Sequence, residues 1–217
     1  MYAALIITYN RASTLAETLA CLRRNLVPQP DIWIVADDGS TDDTHEVVHQ
    51  FGAELVVTRR GGMGKNTNAG LRAAWQQTPL VLQVQDDRQL QKPLNLSDML
   101  LRLSEPTSSW IRLDTLFKAR SITATMDRGY WRMNWSDNYL YIASDAPHIK
   151  HRRFHDAAGM YPEDKKIGHT ENAWCARCRS FGLDGLLAAP LIPAFGLPDH
   201  LWENAGPVAG SWQGKGL

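Results

Sequence analysis

The chain opens on a continuous apolar run, Ala3-Ala4-Leu5-Ile6-Ile7, followed by polar Thr8-Tyr9-Asn10-Arg11. Apolar residues on successive positions over that length predict a strand covered on both faces. From Thr14 the period changes. Leu15, Leu19 and Leu22 recur at helical spacing, and Thr14 with Glu17 has the spacing of a capping box that opens a helix there. A second buried strand is expected over 32–36. The helix after it is capped within 40–43, buries Val47, Val48 and Phe51, and ends at Gly52. A strand over 55–57, a helix over 66–77 and a strand over 80–84 complete the pattern, the last closing on Asp86-Asp87. This regular order of strand and helix predicts an α/β fold with a mostly parallel sheet flanked by helices.

The second half is less regular. Helices are expected over 97–103 and 171–181, and residues 110–154, rich in aromatics and arginines, read as strands and long loops. From Pro190 onward prolines and glycines predict an extended segment laid over the body.

Length and charge narrow the picture. A chain of 217 residues with 44% hydrophobic residues supports one substantial core. Lys+Arg and Asp+Glu both number 23, so no global field draws the protein to nucleic acid or an anionic membrane. The N-terminus lacks a basic n-region and no run reaches the roughly 18 apolar residues of a membrane helix, so no transmembrane segment is expected. Cys21, Cys175 and Cys178 are too few for a disulfide scaffold and suit a reducing, cytoplasmic setting. Cys175 and Cys178 have C-x-x-C spacing, but they fall within an expected helix without a second pair. They read as buried small hydrophobes rather than a zinc or redox site.

The chemistry gathers where the strands end. Open parallel sheets bind ligands beyond the carboxyl ends of their strands. Here those ends carry Thr8-Tyr9-Asn10-Arg11, Asp37-Asp38-Gly39-Ser40, the stretch from Arg59 to Asn66, and Gln85-Asp86-Asp87-Arg88. A carboxylate after the second strand can accept hydrogen bonds from a nucleobase or a ribose, although the same residues also suit a turn and a helix cap. Adjacent Asp86 and Asp87 repel unless a cation or basic partner compensates them. Mg²⁺ or Mn²⁺ would do so and keep positions open for diphosphate oxygens. Gly61-Gly62-Met63-Gly64-Lys65 resembles a loop whose N–H groups and lysine face a phosphate, without the full P-loop spacing.

The order of Ile6-Ile7-Thr8-Tyr9-Asn10-Arg11, then Asp37-Asp38-Gly39-Ser40-Thr41-Asp42-Asp43-Thr44, then Asn68-Ala69-Gly70, then Gln85-Asp86-Asp87 resembles family-2 glycosyltransferases over the first 90 residues or so. The resemblance implies a GT-A fold, a nucleotide-diphosphate sugar donor, a divalent Mn²⁺ or Mg²⁺ and inversion at the anomeric carbon. It places the donor in residues 1–100, and the acceptor and catalytic base in residues 101–217 of the same domain. By that resemblance Thr8, Asn10 and Arg11 line the nucleotide pocket, with Lys65 and Asn68 on the donor, and Asp37 or Asp38 holds base and ribose. Asp87 is the leading metal ligand, with Asp86 supporting it or touching ribose. Val84 and Gln85 stand where the family usually carries a further carboxylate, and Asn66 and Thr67 replace a basic residue that Lys65 or Arg72 would substitute. Glu171, after Gly168-His169-Thr170, matches the acidic position of the general base, with Asp164 and Glu163 as fallbacks. His200 would complete the metal or diphosphate site.

The resemblance further implies a hydroxyl acceptor. Arginines and aromatics between Trp110 and Phe154 suit a saccharide or an anionic acceptor such as a hydroxymethylated base in DNA, and equally suit a core with solvated charges. A sugar-nucleotide nucleotidyltransferase would place its glycine-rich loop directly after the first strand. A non-catalytic nucleotide-sugar-binding module is the remaining alternative.

Overall fold

The computed structural model describes residues 1–113, 124–133, 146–165, 169–180, 186–188 and 195–196. Its centre is β1 (Ala3–Thr8), which pairs in parallel with β3 (Ile32–Asp37) on one side and β5 (Leu80–Gln85) on the other. Between β1 and β3 run α1 (Ala12–Asn25) and the short β2 (Leu26–Val27). Beyond β3 come α2 (Thr44–Phe51), the edge strand β4 (Glu54–Val57) and α3 (Gly62–Trp75). After β5 the chain forms β6 (Gln89–Leu90), β7 (Leu94–Asn95), α4 (Ser97–Ser104), β8 (Trp110–Arg112), β9 (Ala124–Asp127) and β10 (Tyr130–Met133). It continues through β11 (His148–His151), α5 (Arg153–Ala158), α6 (His169–Ser180), β12 (Leu186–Ala188) and β13 (Phe195–Gly196). The main sheet has the order β4-β3-β1-β5-β11-β8-β12-β10-β9, and all its strands but β11 and β10 point the same way.

The apolar pattern explains the layers. Alternate residues of β1 face opposite sides: Ala4 and Ile6 pack with Leu15, Leu19 and Leu22 of α1 and Val48 of α2, whereas Ala3 and Leu5 pack with Leu71 and Ala74 of α3. Each fully buried leucine of this kind contributes ~1.5–3 kcal/mol. Phe154 of α5 and Trp174, Cys175 and Cys178 of α6 join the second layer. Burial pushes the Cys178 thiol up to about 12, so the cysteine pair behaves as the expected core filling.

Helix starts differ from the local reading. Helix α1 begins at Ala12, ahead of Thr14, which lies inside it and is buried; the carboxylate of Asp42, from another loop, accepts the Ala12 N–H at 2.9 Å. Helix α2 begins at Thr44 rather than after Ser40. Asp42 accepts its first N–H and hydroxyl, at 3.2 and 2.6 Å. Helix α3 starts four residues earlier than the periodicity suggests, because Asp38 caps it from β3's end, accepting the N–H groups of Gly61 and Gly62 at 2.8 and 2.9 Å.

Close packing of α3 depends on missing side chains. A Cβ at Gly70 would lie 2.4 Å from Leu5 Cδ1 and 2.9 Å from the Ala36 Cβ, and one at Gly64 would lie 2.0 Å from the carbonyl oxygen of Pro162. Gly64→Ala and Gly70→Ala should each destabilise the fold by about 1–3 kcal/mol through overpacking. Urea unfolding measures this, and an unchanged midpoint for both variants would refute the packing account.

Candidate active site

Chain order fixes where a ligand can sit. From β1 the chain moves to β3 and β4 on one side, then returns through α3 to β5 on the other, so the crevice of this sheet lies between the ends of β1 and β5. Thr8 and Asp86 meet there. The Thr8 hydroxyl donates to Asp86 Oδ2 at 2.8 Å, the Asp86 N–H donates to the Ile7 carbonyl at 3.1 Å, and Thr18 of α1 donates to the Asp86 carbonyl at 2.6 Å. Burial raises the Asp86 carboxyl to about 6, against the opposing pull of Thr8 and Arg11.

Arg11 binds both carboxylates. Its Nη1 lies 3.1 Å from Asp86 Oδ1 and 3.0 Å from Asp87 Oδ2. The other oxygen of Asp87, Oδ1, is buried with no hydrogen-bond partner; Arg88 Nε stands 3.7 Å away, an ion pair too long for a hydrogen bond. A buried carboxylate oxygen left in that state suits a cation, and hard divalent ions use one or two carboxylates together with phosphate oxygens. Asp87 and Asp86 therefore fit a Mn²⁺ or Mg²⁺ ion. Among the described residues no group of three or more His, Cys, Asp or Glu side chains gathers around one point.

The aspartates after β3 are engaged within the protein. Asp37, fully buried, accepts from the Ser40 N–H at 2.9 Å, from the Ser40 hydroxyl and from His45 Nε2 at 2.9 Å. Asp38 also accepts the Thr58 hydroxyl at 2.8 Å, so the Gly61 and Gly62 N–H groups that the sequence offered to a phosphate clasp this carboxylate instead. Gly39, at φ +83, allows the turn between them. Asn10, at φ +50, is tied to the loop after β3: its N–H donates to Ser40 Oγ at 2.7 Å and its Oδ1 accepts the Thr41 N–H at 2.8 Å. Beside these two loops lies a recess of about 580 Å³ lined by Asn10, Arg11, Ser13, Thr14, Asp42 and Val47. It flanks the carboxylates rather than enclosing them.

Asn68 faces away from the crevice. Its Nδ2 donates to the Tyr161 carbonyl at 2.9 Å and to Glu163 Oε1 at 2.8 Å, and its Oδ1 accepts the Tyr161 N–H at 3.0 Å, so it staples the loop before α6 to α3. Arg72 joins Glu163 at 3.2 Å, and the hydrogen bond from Asn68, chiefly, holds the Glu163 carboxyl below its usual range. Asp164 is exposed and pairs with Lys165 at 2.8 Å. The start of α6 abuts the start of α3, since a Cβ on Gly64 would lie 3.2 Å from Thr170 Cγ2. Partly buried Glu171 is thereby placed beside the first turn of α3. Lys65 is exposed.

Known proteins fix the family. The sequence model for glycosyl transferase family 2 matches residues 3–155. The chain belongs to that family. A curated relative of this family-2 chain, the chondroitin synthase of Escherichia coli, is 42% identical over 73 residues, covering 31% of the chain and 11% of that protein. Crystal structures with similar folds include S. aureus TarS (TM-score 0.66, 20% identity, 89% of this chain and 36% of TarS). The mannosyltransferase PcManGT of Pyrobaculum calidifontis, in complex with GDP-Man and Mn²⁺, has a TM-score of 0.57 at 18% identity, covering 93% and 59%. Glucosyl-3-phosphoglycerate synthase of Mycobacterium tuberculosis, with Mn²⁺, UDP and glucosyl-3-phosphoglycerate, reaches 0.60 at 14% identity, covering 94% and 74%. The family-2 chain thus spans about a third of TarS and about a ninth of the chondroitin synthase. No helix among the described residues is long and apolar enough to cross a membrane.

Of the sequence-derived candidates, Thr8, Asn10, Arg11, Asp86 and Asp87 converge on the crevice. His200, Asp199 and Gly168 lie outside the described residues, as do Phe117, Lys118, Arg120, Trp135, Tyr139 and Tyr141. Within the remaining basic stretch, Arg112 and Lys150 are buried, Arg128 pairs with Glu105 at 2.7 Å, and Arg153 donates to the carbonyls of Leu103, Glu105 and Ser108. Arg112, Lys150 and Arg153 thus build the core and its connections, whereas Arg128 and Arg152 remain exposed. Sequence reasoning missed Thr18, Thr58 and Asn66. Asn66 donates to the Ala36 carbonyl at 2.8 Å and accepts from Thr58 at 3.2 Å; the signal was a polar residue on the buried side of a helix. It also missed the pairing of Tyr9 with Arg60, whose guanidinium lies 5.9 Å from the ring centre.

The raised Asp86 carboxyl has a defined effect on stability. The folded state holds that proton more tightly than the unfolded chain, so the Asp86 contribution is fully present below about 3.8 and is lost as pH rises to about 6. Relative to the wild type, Asp86→Asn should therefore gain about 1 kcal/mol of stability between pH 5 and pH 7.5 in metal-free buffer. Urea unfolding at both pH values tests it, and parallel changes in the two proteins would refute it.

Proposed function

We propose that this chain is an inverting glycosyltransferase that moves a sugar from a nucleoside-diphosphate sugar to a hydroxyl acceptor. The observation that carries the reading is the pair Asp86-Asp87 at the crevice between β1 and β5, with one buried Asp87 oxygen lacking a hydrogen-bond partner. Nucleotide and Mn²⁺ complexes of proteins with the same fold support it. In this reading residues 1–100 hold the donor and residues 101–217 present the acceptor.

Thr8, Asn10 and Arg11 frame the nucleotide with Asp37 and Asp38. Asp38, partly exposed, is the better placed of the two to meet base or ribose; Asp37 positions Ser40 and His45. Asp87, with Asp86, would hold Mn²⁺ or Mg²⁺, whose charge stabilises the departing diphosphate. Glu171 takes the proton of the acceptor hydroxyl as that oxygen bonds to the anomeric carbon and the bond to the diphosphate breaks on the opposite face. Glu163 is less suited because Asn68 and Arg72 already bind its carboxylate. The acceptor is a saccharide hydroxyl. The burial of Arg112 and Lys150 removes two of the cations that suggested a nucleic-acid acceptor.

Calorimetric titration with UDP and with GDP, with and without Mn²⁺, tests the donor site. Binding should require the ion and be lost in Asp87→Ala, and equal affinity with and without Mn²⁺ would refute the metal role. Release of nucleoside diphosphate across a panel of sugar nucleotides separates transfer from nucleotidyl transfer and from simple binding. Glu171→Gln should lower turnover by about 10²-fold or more while donor affinity stays within a few-fold. Near-normal turnover would assign the base elsewhere.

A further inference from the structure

Arg11 lies where a bridging cation would lie. One guanidinium nitrogen, Nη1, contacts a carboxylate oxygen of Asp86 at 3.1 Å and one of Asp87 at 3.0 Å. The backbone beneath it is fixed, because Asn10 is held in its left-handed conformation by Ser40 and Thr41, and the Ala12 N–H is held by Asp42. The side chain is not fixed to the same degree: it is 47% exposed, whereas those of Asp86 and Asp87 are 6% and 19% exposed. Arg88 Nε lies 3.7 Å from the far oxygen of Asp87 and does not bridge the pair. A divalent ion held by both carboxylates would lie close to the guanidinium and repel it.

We propose that Arg11 is a resident counter-ion of the donor-free protein, displaced from Asp86 and Asp87 when the divalent ion enters and received by the diphosphate of the donor. The proposal rests on the metal reading given under Proposed function. The exchange opposes binding of the ion alone. The diphosphate brings negative charge for Arg11, so ion and nucleotide bind with positive coupling, each raising the affinity of the other by the same factor. Arg11 thereby acts as a positioning residue that makes the metal site respond to the presence of donor.

The test titrates Mn²⁺ by electron paramagnetic resonance into the wild type, Arg11→Ala, Arg11→Gln and Arg11→Lys, without nucleotide and with UDP or GDP. The neutral variants should bind Mn²⁺ alone about tenfold or more tightly than the wild type, and nucleotide should enhance their Mn²⁺ binding much less. Arg11→Lys, which keeps the charge, should stay close to the wild type. In metal-free buffer Arg11→Ala should melt below the wild type and recover on adding Mn²⁺, a response that a merely structural loss would not show. Neutral variants that bind Mn²⁺ alone no more tightly than the wild type would overturn the proposal and leave the metal site standing. If no protein bound Mn²⁺ with or without nucleotide, the metal reading and this proposal would both fall.

Discussion

The rest of the site depends on one buried carboxylate. Asp86 ends β5 against β1 and α1, using its N–H, its carbonyl and its side chain on three different partners, Ile7, Thr18 and Thr8. An ionised group in that position is costly unless positive charge reaches it, and among the described residues Arg11 brings that charge from the crevice mouth. The topology that reverses at β1 thus creates both the hollow and the electrostatic demand that the hollow meets. Arg11 answers part of it, and Asp87 leaves a second oxygen unanswered.

Helix α3 carries the geometry across the molecule. Its first N–H groups hold Asp38, its Asn66 reaches the ends of β1 and β3, and its Asn68 holds the loop that leads to α6. Gly64 and Gly70 let it lie close enough to do all three. A glycine-rich stretch that resembles a phosphate loop therefore has a different physical purpose in the folded chain. It brings a helix onto a sheet and clasps an internal carboxylate.

The sheet was legible in the sequence because Ala3 to Ile7, the run over 32–36 and, but for Gln83, the run over 80–84 are apolar on both faces, as a central strand requires. The convergence of Thr8, Arg11, Asp86 and Asp87 followed from strand ends alone. Helix starts were not legible, because Asp42 and Asp38 cap helices from loops remote in sequence, and a local pattern such as Thr14 with Glu17 carries no trace of that. Which bases of the aromatic stretch are enclosed was not legible for a related reason. Whether Lys150 faces solvent or a layer of Trp174, Tyr161 and Gln83 depends on which helix covers β11, and neighbouring residues do not encode it.

That buried layer gives the two faces of the site opposite responses to acid. Lys150, His148 and His155 are enclosed among Trp110, Phe154, Tyr161 and Trp174, and burial drives all three well below their ordinary protonation ranges. They favour the fold while neutral, and that support is withdrawn as pH falls and protons are forced onto them. Asp86 behaves in the reverse sense. Acidification therefore favours the Asp86 edge of the sheet while loosening the packing under α6. Opposite responses to protons are thus built into one sheet, by a few enclosed bases on one side and one enclosed acid at its edge.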